Sequence, residues 1–180
     1  MQEDNFKLYI VVSQTGTILS RILKKITGAP YNHVSVSLDK NLHQMYSFGR
    51  INPYNPVWGG FVTESPDKGT FKRFHKTDAV ILTHDISKEQ HENIKRHLTG
   101  MWCNRKKYGY NYIGLFLAAI KLRYKHRNRF YCSEFARDVL LRFKVADSDQ
   151  FPKITKPMDF LKLEDSHVIY KGKLKEYPKK

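Results

Sequence analysis

The sequence contains few cysteines, few acidic residues and no long hydrophobic run. Its two cysteines, Cys103 and Cys132, are too few for a disulfide framework or a cysteine zinc cluster. The longest apolar run, Ile113 to Ile120, is far shorter than the roughly 20 residues that a membrane span requires. The first thirty residues show no pattern of a secretion signal. We therefore expect a cytoplasmic protein.

The composition is that of a packed globular chain. Hydrophobic residues make up 41% of the sequence and aromatic residues 13%, which is enough for a hydrophobic core. A length of 180 residues fits one domain, and no repeat or interior linker divides the chain. We expect a single domain over residues 1–180, with a core at about 6–165 and a Lys-rich tail at 171–180.

The scarcity of acidic residues gives the chain a strong positive charge. It has 32 Lys and Arg against 17 Asp and Glu, a formal net charge of +15, and residues 71–180 hold 25 of the basic residues but only 12 of the acidic ones. Such a charge attracts anionic partners without distinguishing nucleic acid, anionic lipid and acidic peptide. The competing interpretation is that the charge serves only to keep the protein soluble.

Hydrophobic spacing predicts a mixture of strands and helices. Period-2 alternation and β-rich runs predict strands at 7–13, 32–39, 43–49, 70–75 and 79–85, and a terminal strand at 167–177. Apolar residues at helical spacing predict helices at 17–27, 87–102, 110–122 and 132–143. The 110–122 segment is mostly apolar and is expected to be a buried helix. We therefore expect an α+β fold with an antiparallel sheet packed against helices.

Cys132 stands where the last long helix is predicted to begin. The unpaired N–H groups and partial positive charge of a helix N-terminus favour a thiolate. Five basic residues precede it within eleven positions and act in the same direction if they fold nearby, namely Lys121, Arg123, Lys125, Arg127 and Arg129. The competing interpretation is a small buried hydrophobic residue, which is what we expect for Cys103.

A cysteine nucleophile needs a base, and His33 is the best candidate among eight histidines. It shares one strand face with Ser35, whereas the opposite face is aliphatic, so we expect it to point into a polar cleft. A three-residue hairpin loop would place Ser35 opposite Ser47, which could then orient the imidazole. A partly exposed sheet face that happens to carry a histidine remains the alternative, and His126 is a rival base.

Histidine spacing gives no metal site. His91 and His97 are six residues apart on a predicted helix and would lie on different faces. No H-E-x-x-H motif or cluster of carboxylates is present. We expect neither a metal nor another cofactor.

Two motifs resemble those of a known family. The segments YNHVSVSLD and FYCSEFARDVL are similar to the circularly permuted branch of the NlpC-type papain-like cysteine hydrolases, the YiiX-like group, in which the histidine strand precedes the cysteine helix. The resemblance covers about residues 6–165. It implies a permuted papain-like fold, Cys132 as the nucleophile, His33 as the general base and the Cys132 N–H as part of an oxyanion hole.

The third catalytic position departs from the family pattern. Relatives commonly have His, Glu, Gln or Asn on the strand that follows the catalytic histidine. The matching position here is Ser47, with His43 or Gln44 available only if the strand register slips. Serine orients an imidazolium less well than a carboxylate because it has no charge.

The resemblance implies a cysteine hydrolase that acts on an amide or other acyl bond of a peptide or lipid-like substrate, since the permuted branch also includes lipid-directed acyltransferases. We expect Tyr31, Tyr110, Tyr112 and Trp58 to contact the substrate. The alternative is a non-catalytic binding protein for anionic membrane or nucleic acid, using the basic residues at 121–129 and 171–180. No specific nucleic-acid motif accompanies those residues, and the sequence leaves the oligomeric state open.

Overall fold

The computed structural model describes residues 6–16, 28–52, 54–55 and 58–178, and these form a mixed α+β fold. The strands are β1 Phe6–Gln14, β2 His33–Ser37, β3 Met45–Arg50, β4 Gly59–Glu64, β5 Asp78–Ile86, β6 Gly109–Tyr110, β7 Arg129–Phe130 and β8 Ser166–Lys173. The α-helices are α1 Gly69–Arg73, α2 Lys88–Cys103, α3 Tyr112–Ala119 and α4 Cys132–Arg142. The predicted helix at 17–27 lies outside the described residues. Within the described ranges, no helix has the length and apolar character to cross a membrane.

The eight strands form one sheet in the order β7-β6-β4-β3-β2-β1-β5-β8. All neighbouring strands run antiparallel except β6 and β7, which are parallel. Strand β2 therefore lies inside the sheet, between β1 and β3. Its pairing with β3 places Val36 opposite Tyr46, and this register puts Ser35 opposite Ser47, as the hairpin pattern predicts.

Hydrophobic cores lie on both faces of the sheet. One core joins Val34 and Val36 of β2 to α2 and α4. The other joins β1, β3 and β5 to Phe71 of α1 and to the C-terminal residues Leu174 and Tyr177. Because this second core covers the polar face of β2, all five residues of β2 are buried. The face that was expected to point into a polar cleft is thus buried, and its His33 and Ser35 contact the Glu64 carboxylate.

The structure differs from the predictions at residues 70–75 and at the C-terminal end of the core. The segment 70–75, predicted as a strand, lies largely in helix α1, because Phe71 and Phe74 are three residues apart and fit one helical turn. The core also extends beyond residue 165, its predicted end. Strand β8 pairs with β5, and Leu174 and Tyr177, which fall within the predicted Lys-rich tail, are buried.

Helix α3 is shorter and far more exposed than the buried helix predicted at 110–122. It carries no charged side chain, yet Phe116 is 70% exposed and Ile113 is 61% exposed. Only Gly114 of this helix is buried. The sequence pattern of an apolar helix does not distinguish a core helix from one whose outer face meets another apolar surface.

Two helical glycines give a matched test of this packing. The Asn111 side chain accepts a hydrogen bond from the Gly114 N–H at 2.9 Å and caps α3, and a Cβ at Gly114 would lie 2.6 Å from Asn111 Cγ. We expect Gly114→Ala to lower the free energy of unfolding by about 1–3 kcal/mol. A Cβ at Gly100 in α2 meets nothing within 4 Å, so Gly100→Ala should raise it by about 0.5–1 kcal/mol. Urea denaturation measures both, and effects of the same sign would contradict the assigned packing.

Candidate functional site

Cys132 is the first residue of α4 and is buried. The helix forms because Phe135, Val139 and Leu140 repeat at helical spacing and pack into the core. The first backbone bond of the helix runs from the Phe135 N–H to the Tyr131 carbonyl. The Cys132 N–H therefore has no partner within the helix and points from its N-terminus.

The N-terminus of α4 lies against the start of β2. The Cys132 thiol donates to the Asn32 carbonyl oxygen at 4.0 Å, and it lies close enough to His33 to raise the pKa of the imidazole. The next residue, Ser133, donates a hydrogen bond of 2.7 Å to the Thr155 carbonyl. This bond ties the helix start to the segment that follows α4. Asn32 and Cys132, which are 100 positions apart in the sequence, are thus brought together by the start of β2 and the start of α4.

A carboxylate holds the other side of the imidazole. The His33 Nε2 lies 3.1 Å from Glu64 Oε1 and 3.0 Å from Oε2, and both side chains are 10% exposed. Ser35 donates a 2.6 Å hydrogen bond to Glu64 Oε2 and so fixes the carboxylate. Glu64 and Ser35 therefore both contact the Nε2 side of the ring.

The charges at the site set the protonation of His33. Burial by itself lowers the pKa of His33, but the Glu64 carboxylate and the nearby Cys132 thiol act in the opposite direction. The net result is a pKa raised well above the ordinary value of 6.5. The raised pKa favours the protonated imidazolium, whose charge faces the Glu64 carboxylate.

The structure corrects the prediction that Ser47 orients the imidazole. Its hydroxyl donates a hydrogen bond of 2.7 Å to the Val34 carbonyl of the neighbouring strand. The hydroxyl proton is therefore bonded to the backbone and not to the His33 ring. His43 pairs with Asp39 in an exposed turn. His126, the rival base, is exposed, and its Nδ1 accepts a hydrogen bond from the Asn128 N–H at 3.2 Å.

Glu64 is the functional residue that the sequence pattern missed. It ends β4, which follows a loop rich in Pro, Asn and Gly, and the hydrophobic pattern predicts no strand there. The available signal is a short run of β-favouring residues, Phe61 to Thr63, directly before Glu64. Gly49 on β3 lies beside this pair, since a Cβ there would make ordinary contacts of 3.4 Å with Glu64 Oε1 and 3.7 Å with His33 Cε1.

An apolar cleft adjoins the Cys132 thiol. Its lining includes two of the residues expected to contact substrate, Tyr31 and Tyr110, together with Leu115 and Ala118 of α3. Burial, followed by the nearby Cys132, raises the pKa of the Tyr110 phenol well above 10.0. Tyr110 therefore keeps its proton and is available as a hydrogen-bond donor inside the cleft.

The other two residues expected to contact substrate lie elsewhere. Trp58 lines a separate cleft that also contains Glu64, Arg50 and Trp102. The Tyr112 ring lies 4.6 Å from that of Tyr110, measured between centroids, but Tyr112 does not line the Cys132 cleft. The structure thus brings Cys132, His33, Tyr31 and Tyr110 together and leaves Trp58, Tyr112 and the Ser47 hydroxyl outside the group.

The chain matches no protein-family model, no curated protein and no solved structure. In the part of the chain that the structure describes, no group of three or more His, Cys, Asp or Glu side chains is placed to hold a metal ion. Any assignment of function therefore depends on the geometry around Cys132.

Proposed function

We propose that this protein is a cysteine hydrolase of the permuted papain-like kind, acting in the cytoplasm on an amide or other acyl bond. The observation that supports the proposal is the convergence of a thiol, an imidazole and a carboxylate from three separate elements, α4, β2 and β4. A thiol, a base within hydrogen-bonding reach and a group that orients the base are the parts that nucleophilic catalysis requires.

In the proposed acylation step, the Cys132 sulfur attacks the substrate carbonyl carbon. The thiol proton resides on His33. The Glu64 carboxylate stabilises the resulting imidazolium and so raises the pKa of His33. A C–S bond forms, and the carbonyl oxygen becomes an oxyanion beside the Cys132 N–H, with the Tyr110 hydroxyl as a second donor. His33 then gives its proton to the leaving group as the bond to the acyl carbon breaks, which leaves an acyl-enzyme.

Deacylation repeats these steps with water as the nucleophile. His33 takes a proton from water while the water oxygen bonds to the acyl carbon, and the C–S bond breaks to release a carboxylic acid. Glu64 keeps the ring oriented through Nε2 in both steps. The apolar lining of the cleft beside Cys132 favours an acyl group with hydrophobic character.

The reactivity of the two cysteines tests the proposed pair. Both are free thiols. Cys132 is buried, whereas Cys103 is exposed, so the expectation that Cys103 is a buried hydrophobic residue is wrong. Access alone would therefore make Cys103 the faster to react. We expect the reverse at pH 6, because the imidazolium stabilises a thiolate at Cys132. In His33→Ala, alkylation of Cys132 at pH 6 should slow by about 10–100-fold.

Iodoacetamide alkylation of the folded protein, read for each cysteine by mass spectrometry, measures both rates in one sample. Cys103 serves as the internal reference and should react equally in the parent and in His33→Ala. Ordinary thiol behaviour of Cys132 from pH ~5 to 9 in both proteins would overturn the proposal. The non-catalytic alternative, a basic protein that binds anionic membrane or nucleic acid, would then be favoured.

A further inference from the structure

The outer face of α3 and the segment that follows it form an apolar surface bordered by positive charge. We define the α3 patch as Ile113, Phe116, Ile120 and Leu122, each of which is more than half exposed. Five basic residues follow or border it, namely Lys121, Arg123, Lys125, Arg127 and Arg129, and all five are exposed. Residues 112–129 contain no acidic residue.

We propose that the α3 patch and its basic border bind the surface of an anionic lipid bilayer. Exposed apolar side chains grouped on one element mark an interaction site more often than scattered ones do. Two of its residues, Ile113 and Phe116, lie on a helix that has no charged residue, and the other two follow that helix directly. Apolar side chains next to Lys and Arg are typical of segments that lie in the plane of a membrane interface.

The charge distribution favours a bilayer that contains anionic lipid. A cluster of basic residues beside an apolar patch gains attraction from phosphatidylserine-type headgroups while the apolar side chains enter the boundary with the acyl chains. The eight residues of α3 span about 12 Å, so the helix could lie on the surface and could not cross it. The rest of the fold would remain on the aqueous side.

The inner face of α3 connects this surface to the cleft. Leu115, Ala118 and Ala119 line the cleft that contains Cys132, whereas Phe116 and Ile120 point outward and are exposed. A bilayer bound to the patch would therefore lie one helix away from the thiol. This position suits an acyl substrate that enters from the membrane. Substrate entry rests on the proposed hydrolase function, whereas the binding of the patch to a bilayer is independent of it.

Vesicle flotation of the full chain tests the inference. We expect binding to vesicles of mixed phosphatidylcholine and phosphatidylserine, little binding to phosphatidylcholine alone, and loss of binding at high salt. Phe116→Gln/Ile120→Gln should weaken binding by about tenfold or more, and Arg123→Gln/Arg127→Gln should weaken it in the same direction. Cys132→Ser should bind like the parent, so failure of binding and failure of catalysis are distinguished.

A second exposed apolar pair provides the matched control. Val168 and Ile169 on β8 are 57% and 45% exposed and lie at the opposite end of the sheet from β7. Val168→Gln/Ile169→Gln should leave vesicle binding unchanged. The inference is overturned if the parent binds no vesicles or if the two pairs of substitutions have equal effects. It is also overturned if Phe116→Gln/Ile120→Gln lowers the melting temperature, because the patch would then be covered by another part of the chain.

Discussion

We expect the replacement of Cys132 by Ala to abolish the hydrolysis of an activated aryl ester, and the replacement of His33 by Ala to lower kcat/KM by about 10³–10⁴-fold. These are the largest effects that the proposed mechanism predicts. Cys132→Ala removes the atom that bonds to the acyl carbon. His33→Ala removes the group that holds the thiol proton and later protonates the leaving group.

Release of p-nitrophenol from a series of p-nitrophenyl esters measures both losses, and intact-mass spectrometry detects the acyl-enzyme directly. We expect the acyl group to add to Cys132, and esters of longer acyl chains to react faster than the acetate because the cleft beside Cys132 is apolar. Cys103→Ala is the control, since Cys103 is exposed at the end of α2, and it should retain full activity. Retention of turnover in Cys132→Ala would show that another group performs the reaction.

The sequence predicted two members of the site because each has a local signal. Cys132 follows a strand-like aromatic segment and begins an amphipathic helix, and His33 lies on a strand that alternates strictly between polar and apolar residues. Glu64 has no comparable signal, because its role depends on the pairing of β4 with β3. Strand pairing is a tertiary property, and the sequence of a short strand after a loop does not show which strand it will pair with.

The predictions about exposure failed for the same reason. The alternation in β2 identified its two faces, but it could not show that α1 and the residues around Leu174 cover the polar one. The apolar composition of α3 predicted burial, whereas Phe116 and Ile120 are exposed. A pattern within one element shows which faces differ, and the packing of distant elements decides which face meets water.

If Glu64 and not Ser47 orients the imidazole, substitutions at these two residues should have very different effects. Glu64→Gln should lower kcat/KM by about 10²–10⁴-fold, because the amide supplies no charge to hold the imidazolium in its orientation. Ser47→Ala should change it by less than about threefold, because the hydroxyl bonds to the Val34 carbonyl and not to the ring. Ester hydrolysis by the two variants decides between them, and a larger loss in Ser47→Ala would restore the serine as the orienting group.

The stability of Glu64→Gln should also depend on pH in a direction that the raised pKa of His33 determines. The folded-state pKa lies well above the ordinary value of 6.5, so the stabilisation from the charged pair is complete below pH 6.5 and is lost as the pH rises through the folded-state pKa. At pH 6 we expect Glu64→Gln to lower the free energy of unfolding by about 1–3 kcal/mol, and the deficit should narrow at alkaline pH. Urea denaturation at several pH values measures this trend. Ser47→Ala loses only an uncharged hydrogen bond, so its loss of unfolding free energy should not vary with pH. A loss in Glu64→Gln that is equally constant with pH would show that the Glu64 carboxylate does not stabilise a protonated His33.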